Sequence, residues 1–297
     1  MSQWDGRSKG TLLGYKIFVF FIKKFGVRTA YGLLVFVALY YFLFYPRSFK
    51  NIFYYLHQRQ GFSRWTSFWK VYRVYFVFGQ TIIDKVAISA GMRNQFTYDF
   101  DGIDSLKEIL QERRGGILIS AHVGNFEISE QFFSDLDLSF QINQVTVDQE
   151  VSVIKEYLQT IAGKSTIKHI YIKDDMSHVF DINDALSNNE LICFTGDRYF
   201  EGSKVLEAEL LGRKAFFPAG PFHLASRLGV PIIFVYVMKE TSSHYHLYAR
   251  RAGAVKRRDA QAALEAYVKS VEGILSRYPL QWFNYFDFWN REERTSP

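Results

Sequence analysis

Gly116-Ile117-Leu118-Ile119-Ser120, followed directly by Ala121-His122-Val123-Gly124-Asn125-Phe126-Glu127, is the stretch that decides the fold. A short apolar run bounded by turn residues reads as a strand buried in a sheet, and Gly124-Asn125 supplies a turn and a helix-start signal behind it. The same alternation continues along the chain. Strands are expected at residues 140–147, 167–172, 191–194, 231–237 and 245–250, with helices at 125–133, 150–162, 176–186, 221–228 and 259–277. Such alternation predicts an α/β fold, a mixed and mostly parallel sheet flanked by helices. No internal repeat, low-complexity tract or obvious linker interrupts it.

In an open α/β sheet, reactive groups collect at the carboxyl ends of strands. Of the seven histidines, His122 is the one at such an end. On one continuous helix His122 and Glu127 would lie about 140° apart, so they meet only if His122 precedes the helix. A histidine at the mouth of that loop, with a carboxylate behind it, has the parts of a general base. The sequence holds no Gly-x-Ser-x-Gly elbow, so the base is expected to act on the substrate itself. The single cysteine, Cys193, sits in the apolar run Leu191-Ile192-Cys193-Phe194 and reads as a packing residue. One cysteine and no Cys/His cluster at ligand spacing argue against a disulfide scaffold and a zinc site. Asp174-Asp175 reads as a helix start, and His244 and His246, alternating along a strand, as surface residues.

The 297 residues carry a net charge of +6, distributed unevenly. Residues 6–83 hold twelve Lys/Arg, no Asp or Glu, and 24 of the 53 aromatics, whereas the chain from Asp84 onward is net −5. A solvated arm for nucleic acid needs far fewer rings, so no nucleic-acid partner is expected. Basic, aromatic and aliphatic residues together point to an anionic membrane surface. Residues 29–46 form an uncharged run of 18, marginal against the roughly 20 that a bilayer span needs. Cations flank it on both sides, Lys23, Lys24 and Arg28 before it and Arg47, Lys50, Arg59 and Arg64 after it. This favours a helix embedded in one leaflet, stopped by Pro46, with a surface-lying helix over 12–25 ahead of it. The run starts too late, and lacks the small-residue cleavage site, for a cleaved signal peptide. The expected organisation is membrane-anchoring helices over residues 1–47 and an α/β domain over 48–297. Residues 48–93 of the latter form two helices joined near Gln60-Gly61.

His122-Val123-Gly124-Asn125-Phe126-Glu127 resembles the His-x4-Asp/Glu motif of the lysophospholipid acyltransferase superfamily, particularly the lipid A biosynthesis (late) acyltransferase branch. Three later segments agree in order and spacing. Gly196-Asp197-Arg198 resembles the second family block. Phe217-Pro218-Ala219-Gly220-Pro221 with Leu224-Ala225-Ser226-Arg227-Leu228-Gly229-Val230-Pro231 resembles the third and fourth. Tyr278-Pro279-Leu280-Gln281-Trp282-Phe283 resembles the Pro-x-Gln-Trp ending of the lipid A branch. Phosphate-acceptor branches carry Pro-Glu-Gly-Thr-Arg in the third block. This chain has neither the Glu nor the Arg there, which moves it toward the lipid A-like branch.

The resemblance implies a bacterial inner-membrane enzyme at the cytoplasmic face. It moves a fatty acyl group from an acyl-carrier-protein or coenzyme A thioester to a hydroxyl, or an amine, of a membrane lipid or glycolipid. No metal or redox cofactor is implied. His122 would deprotonate the acceptor and Glu127 would hold and charge-compensate the ring. Asn125, Asp197, Arg198, Gly220 and Arg227 are the implied substrate-binding residues, Arg198 as a phosphate ligand oriented by Asp197. Backbone amides near Gly124 or Gly220 would take the oxyanion; Arg213-Lys214 would add positive charge from a neighbouring strand or else belong to an exposed hairpin, and the aromatic segments would line an acyl tunnel or else fill the core. An aminolipid or polyene-type acceptor is an alternative, as is a non-catalytic membrane-surface protein. A nucleotide-binding enzyme is disfavoured, because Gly-x-Gly-x-x-Gly does not follow the strand.

Overall fold

β2 (Gly116–Ser120) is buried along its whole length, as an apolar run covered on both faces must be. It belongs to a computed structural model that describes residues 12–129, 132, 140–146, 167–173, 175–199, 202–253 and 256–289. The helix expected at 150–162 and the residue Asp174 lie outside these. The other strands are β1 (Thr97–Asp101), β3 (Ile142–Thr146), β4 (Lys168–Tyr171), β5 (Leu191–Thr195), β6 (Val205–Leu210), β7 (Arg213–Pro218), β8 (Ile232–Lys239) and β9 (His244–Arg251). Seven of them form one sheet in the order β1-β9-β8-β2-β5-β3-β4, parallel except between β8 and β9. β6 and β7 form a separate antiparallel hairpin. The fold is therefore α/β with a mixed, mostly parallel sheet.

The described helices are α1 (Leu12–Phe25), α2 (Val27–Phe44), α3 (Pro46–Tyr54), α4 (Arg64–Ala87), α5 (Ile103–Gln111), α6 (His178–Ser187), α7 (Ala219–Leu228) and α8 (Ala260–Arg277). Side chains alternate across a strand, and β2 accordingly feeds two cores. Ile117 and Ile119 join Phe217, Phe222, Tyr267 and Trp282 on one face. Leu118 joins Val19, Ile22, Leu34, Ile83 and Cys193 on the other. Helices α1 and α2 thus share a core with the sheet.

α2 carries two apolar stripes. Val27, Ala30, Tyr31, Leu34 and Ala38 are buried, and Leu34 lies so close to Gly79 of α4 that a Cβ there would collide with it. Phe36, Leu39, Tyr40, Leu43 and Phe44 form a second stripe facing outward, Phe36 70% and Phe44 66% exposed. With 18 residues and a mean hydropathy of 1.7, α2 meets the length and composition of a membrane helix. Its length of about 27 Å falls just short of the hydrocarbon core, about 30 Å.

Candidate active site

The parallel register of β2 and β5 builds the site. Ser120 pairs with Thr195, so the residues two positions beyond each, His122 and Asp197, emerge side by side at the carboxyl edge. The ring Nδ1 of His122 lies 2.7 Å from Asp197 Oδ1, and the His122 backbone N–H donates to Oδ2 of the same carboxylate at 3.0 Å. The Trp282 indole N–H donates to that oxygen at 3.4 Å. An ionised carboxylate only accepts, so Nδ1 carries the proton and Nε2 keeps its lone pair. Asp197 is 3% exposed and the His122 side chain 31%, which leaves the carboxylate sealed and the ring reachable.

Burial pulls the His122 pKa below the ordinary histidine value; Asp197 opposes this, Arg198 reinforces it, and Glu127 acts with Asp197. The net effect is a neutral imidazole near pH 7, the protonation state a base requires. Burial pushes the Asp197 carboxyl up. His122, Arg198 and the two hydrogen bonds from His122 outweigh that, holding it below its usual range.

The loop bearing His122 is stitched down by the chain's C-terminal segment. Gly124 N–H donates to the Gln281 carbonyl at 2.8 Å, Phe283 N–H donates to the His122 carbonyl at 3.0 Å, and Asn125 N–H donates to the Val237 carbonyl at 2.7 Å. Val123 bridges Trp282. Gly124 adopts φ 67°, and a Cβ there would strike the Val237 carbonyl, so glycine is required twice over. The Gln281-Trp282-Phe283 ending therefore has a physical task, holding the loop and closing over Asp197. The Arg198 guanidinium donates to the Phe283 carbonyl at 3.0 Å and lies over the Phe286 ring.

Other expected residues fall in different places. Asn125 does not cap the turn that follows it, a 3-10 turn at Phe126–Ile128. It is buried, and its side-chain amide donates to the Thr81 carbonyl of α4 at 2.9 Å. Glu127, 61% exposed, forms an ion pair with Lys85 of α4. Lys85 holds the Glu127 carboxyl below its usual range, with His122 contributing through space. The ring Nδ1–H thus donates to Asp197, while Glu127 is bonded to Lys85, a cation that no motif marks. The amides of Gly124 and Asn125 are already engaged, which removes them as oxyanion donors.

Gly220 is exposed on the first turn of α7. Arg227 is not brought to His122: it lies in the last turn of α7, which leads into the start of β8, while His122's loop bridges the far end of β8 at Val237. That separation is about 16 Å of strand. With Arg257 and Arg258 it lines a surface hollow of about 350 Å³. Arg213 donates to the Tyr54 hydroxyl at 2.6 Å, and Lys214 pairs with Glu207.

Cys193 is buried with its thiol pushed up to about 12, inert as a nucleophile. An apolar hollow beside Phe126, lined also by Phe100, Leu106, Leu118 and Phe140, holds about 10 Å³, room for about one water and not for an acyl chain. Among the described residues no cluster of His, Cys, Asp and Glu is arranged to hold a metal ion.

A buried-carboxylate and histidine pair at a sheet's carboxyl edge occurs on many folds, so the geometry alone gives a reaction class rather than a family. Comparison with curated proteins finds no match. The family model described as bacterial lipid A biosynthesis acyltransferase matches residues 73–290, from within α4 to beyond the Gln281-Trp282-Phe283 brace. With the α/β sheet, the His122 loop and its C-terminal brace all inside that match, the chain belongs to the bacterial lipid A biosynthesis acyltransferase family.

Proposed function

We propose that this acyltransferase moves a fatty acyl group from an acyl-carrier-protein or coenzyme A thioester to a hydroxyl, or an amine, of a lipid or glycolipid at the cytoplasmic face of a bacterial inner membrane. The observation that carries the reading is the His122–Asp197 pair at the carboxyl edge of the sheet: with Nδ1 2.7 Å from the Asp197 carboxylate, Nε2 is the ring nitrogen that would take the acceptor's proton. Nε2 takes the acceptor's proton as the acceptor oxygen attacks the thioester carbonyl. The tetrahedral intermediate then collapses, the C–S bond breaks, and the departing thiolate recovers that proton from the imidazolium. Asp197 keeps the ring oriented, and Glu127 adds negative charge near the imidazolium as it forms. No side-chain nucleophile and no cofactor enters this sequence of steps.

The outward stripe of α2, together with Trp65 and Trp69 of α4, Phe20 and Phe25, supports seating at a membrane, since these large apolar side chains are exposed among lysines and arginines. α4 reaches directly from this surface to Glu127 and Asn125, which would bring a membrane-borne acceptor to His122.

The test follows lauroyl transfer from lauroyl-CoA and from lauroyl carrier protein onto dispersed total lipid of the source membranes. His122→Ala should lower transfer by about 10³-fold while donor binding persists. Wild-type turnover in that variant would refute the base assignment. A second arm measures sedimentation with vesicles containing anionic lipid: Phe36→Glu/Phe44→Glu should weaken it at least tenfold, and undiminished binding would contradict membrane seating through α2.

A further inference from the structure

Asp84 is the first carboxylate after the acid-free residues 6–83, and it is completely buried. Its Oδ1 accepts from the Tyr31 hydroxyl of α2, and its Oδ2 accepts from the Tyr245 hydroxyl of β9 and the Lys239 ammonium of β8. Lys239 also donates to the Tyr31 hydroxyl at 3.1 Å and to the Ser242 carbonyl at 2.9 Å. A buried ion pair is a poor source of net stability, because desolvating both charges offsets most of their attraction. Four elements converging on one carboxylate call for another explanation, and their outward connections supply it.

Thr81, Asp84 and Lys85 stand at i, i+3 and i+4 and so share one face of α4. Two of them reach the catalytic loop directly: the Thr81 carbonyl takes the Asn125 amide and Lys85 holds Glu127, while Asp84 between them turns to Tyr31, Tyr245 and Lys239. On the sheet side, the Gln281 side chain bonds both the backbone N–H of Lys239, at 2.9 Å, and its carbonyl, at 2.6 Å. The Gln281 carbonyl in turn takes Gly124 N–H. Asp84 therefore sits where two routes meet, one along α4 through the Thr81 carbonyl to Asn125 and the other through Lys239 and Gln281 to Gly124, and both end on the loop carrying His122.

We propose that Asp84 is a positioning residue for acyl transfer: clasped by Lys239, Tyr31 and Tyr245, it locks α4 and the outward-facing α2 to the catalytic loop, fixing where His122 stands. This rests on His122 being the base. The joint acts through the loop and touches no substrate. A misplacement of the base by an ångström is enough to slow transfer by orders of magnitude while leaving donor affinity alone.

Asp84→Asn alone leaves the Lys239 ammonium buried without its counter-charge, so the informative variants are Asp84→Asn/Lys239→Met, which removes both charges, and Tyr245→Phe, which removes one hydroxyl. Each is compared with wild type and His122→Ala in the lauroyl-transfer assay, by thermal unfolding, and by the ring N–H resonances of histidine-labelled protein. We expect both variants to unfold cooperatively, to lose at least tenfold in kcat with the lauroyl-CoA KM unchanged, and to shift or broaden the His122 Nδ1–H signal. Folded variants with wild-type kcat and an unmoved signal would overturn the proposal. Should the double variant fail to fold, Tyr245→Phe decides by the same readouts. If the transfer reading itself is at fault, His122→Ala retains activity. If only the positioning role is at fault, His122→Ala is dead beside fully active Tyr245→Phe.

Discussion

The two ends of the seven-stranded sheet are both rich in charge and differ in how that charge is held. At the carboxyl end His122 is bonded to Asp197, Lys85 to Glu127 and Lys239 to Asp84, each pair on a different pair of elements. At the amino end Glu112 pairs with Arg114 and Arg251 and Glu190 with Lys168, but the cluster of Arg227, Arg257 and Arg258 faces an open hollow, and among the described residues no carboxylate pairs with any of these three. Charges fixed by reciprocal bonds before a substrate arrives need no reorganisation during reaction, which is what lets dipoles and ions lower a barrier. Exposed guanidinium groups without a carboxylate partner adopt many positions, so this arginine cluster offers attraction without aim.

The sharpest way to break this contrast is to separate the two carboxylates near His122. Asp197→Asn replaces an acceptor-only group with an amide whose nitrogen can face Nδ1, allowing the wrong tautomer, and should cost about 10³-fold in kcat. Glu127→Gln removes a largely exposed charge that acts through space and should cost only about tenfold, because solvent screens it. Single-turnover lauroyl transfer measures both. The reverse ranking would make Glu127 the partner of the ring during reaction and the pairing with Asp197 a resting arrangement.

Much of this was legible in the chain. The continuous apolar runs at 116–120 and 191–195 fixed two central strands, and a histidine two residues past the first of them marked the site. Register was the missing step. Asp197 stands two residues past the second run, and the pairing of Ser120 with Thr195 brings it to His122 across 75 positions of sequence. β1, Thr97-Tyr98-Asp99-Phe100-Asp101, is an edge strand with alternating acids and so carries no apolar run to mark it. Lys85 could not be found by motif at all, since its place depends on how α4 packs. The one trace was the abrupt end of the acid-free segment at Asp84. There a long basic helix acquires an adjacent acid and base, and each completes a pair with the α/β body.

A smaller effect concerns pH. With the His122 pKa held below its ordinary value, kcat/KM should rise with pH along an acid limb lying below the usual histidine range and then level off. Arg198 is one of the groups that lower it. Removing that cation in Arg198→Gln raises the affinity of the ring for its proton, so the limb moves to higher pH. Asp197→Asn removes two influences that raise it, so its limb moves to lower pH on a reduced plateau. Opposite displacements in the two pH–rate profiles would establish that both residues act on the same imidazole, and a common direction would contradict that.

The smallest effect is expected where the chain most resembles a substrate-binding pattern without the geometry for it. Arg227 falls within a segment resembling a family block, yet it is exposed in the last turn of α7, which leads into the start of β8, about 16 Å along that strand from where the His122 loop bridges it. Arg227→Ala should leave lauroyl transfer within about twofold of wild type, the range of an exposed charge acting over a distance larger than the Debye length of about 8 Å. Raising salt from 50 to 500 mM should change wild type and variant alike. A loss of tenfold or more that salt abolishes in wild type would mean that the amino end attracts the donor electrostatically, and the contrast between the two ends would then be one of order in time, capture at one edge before chemistry at the other.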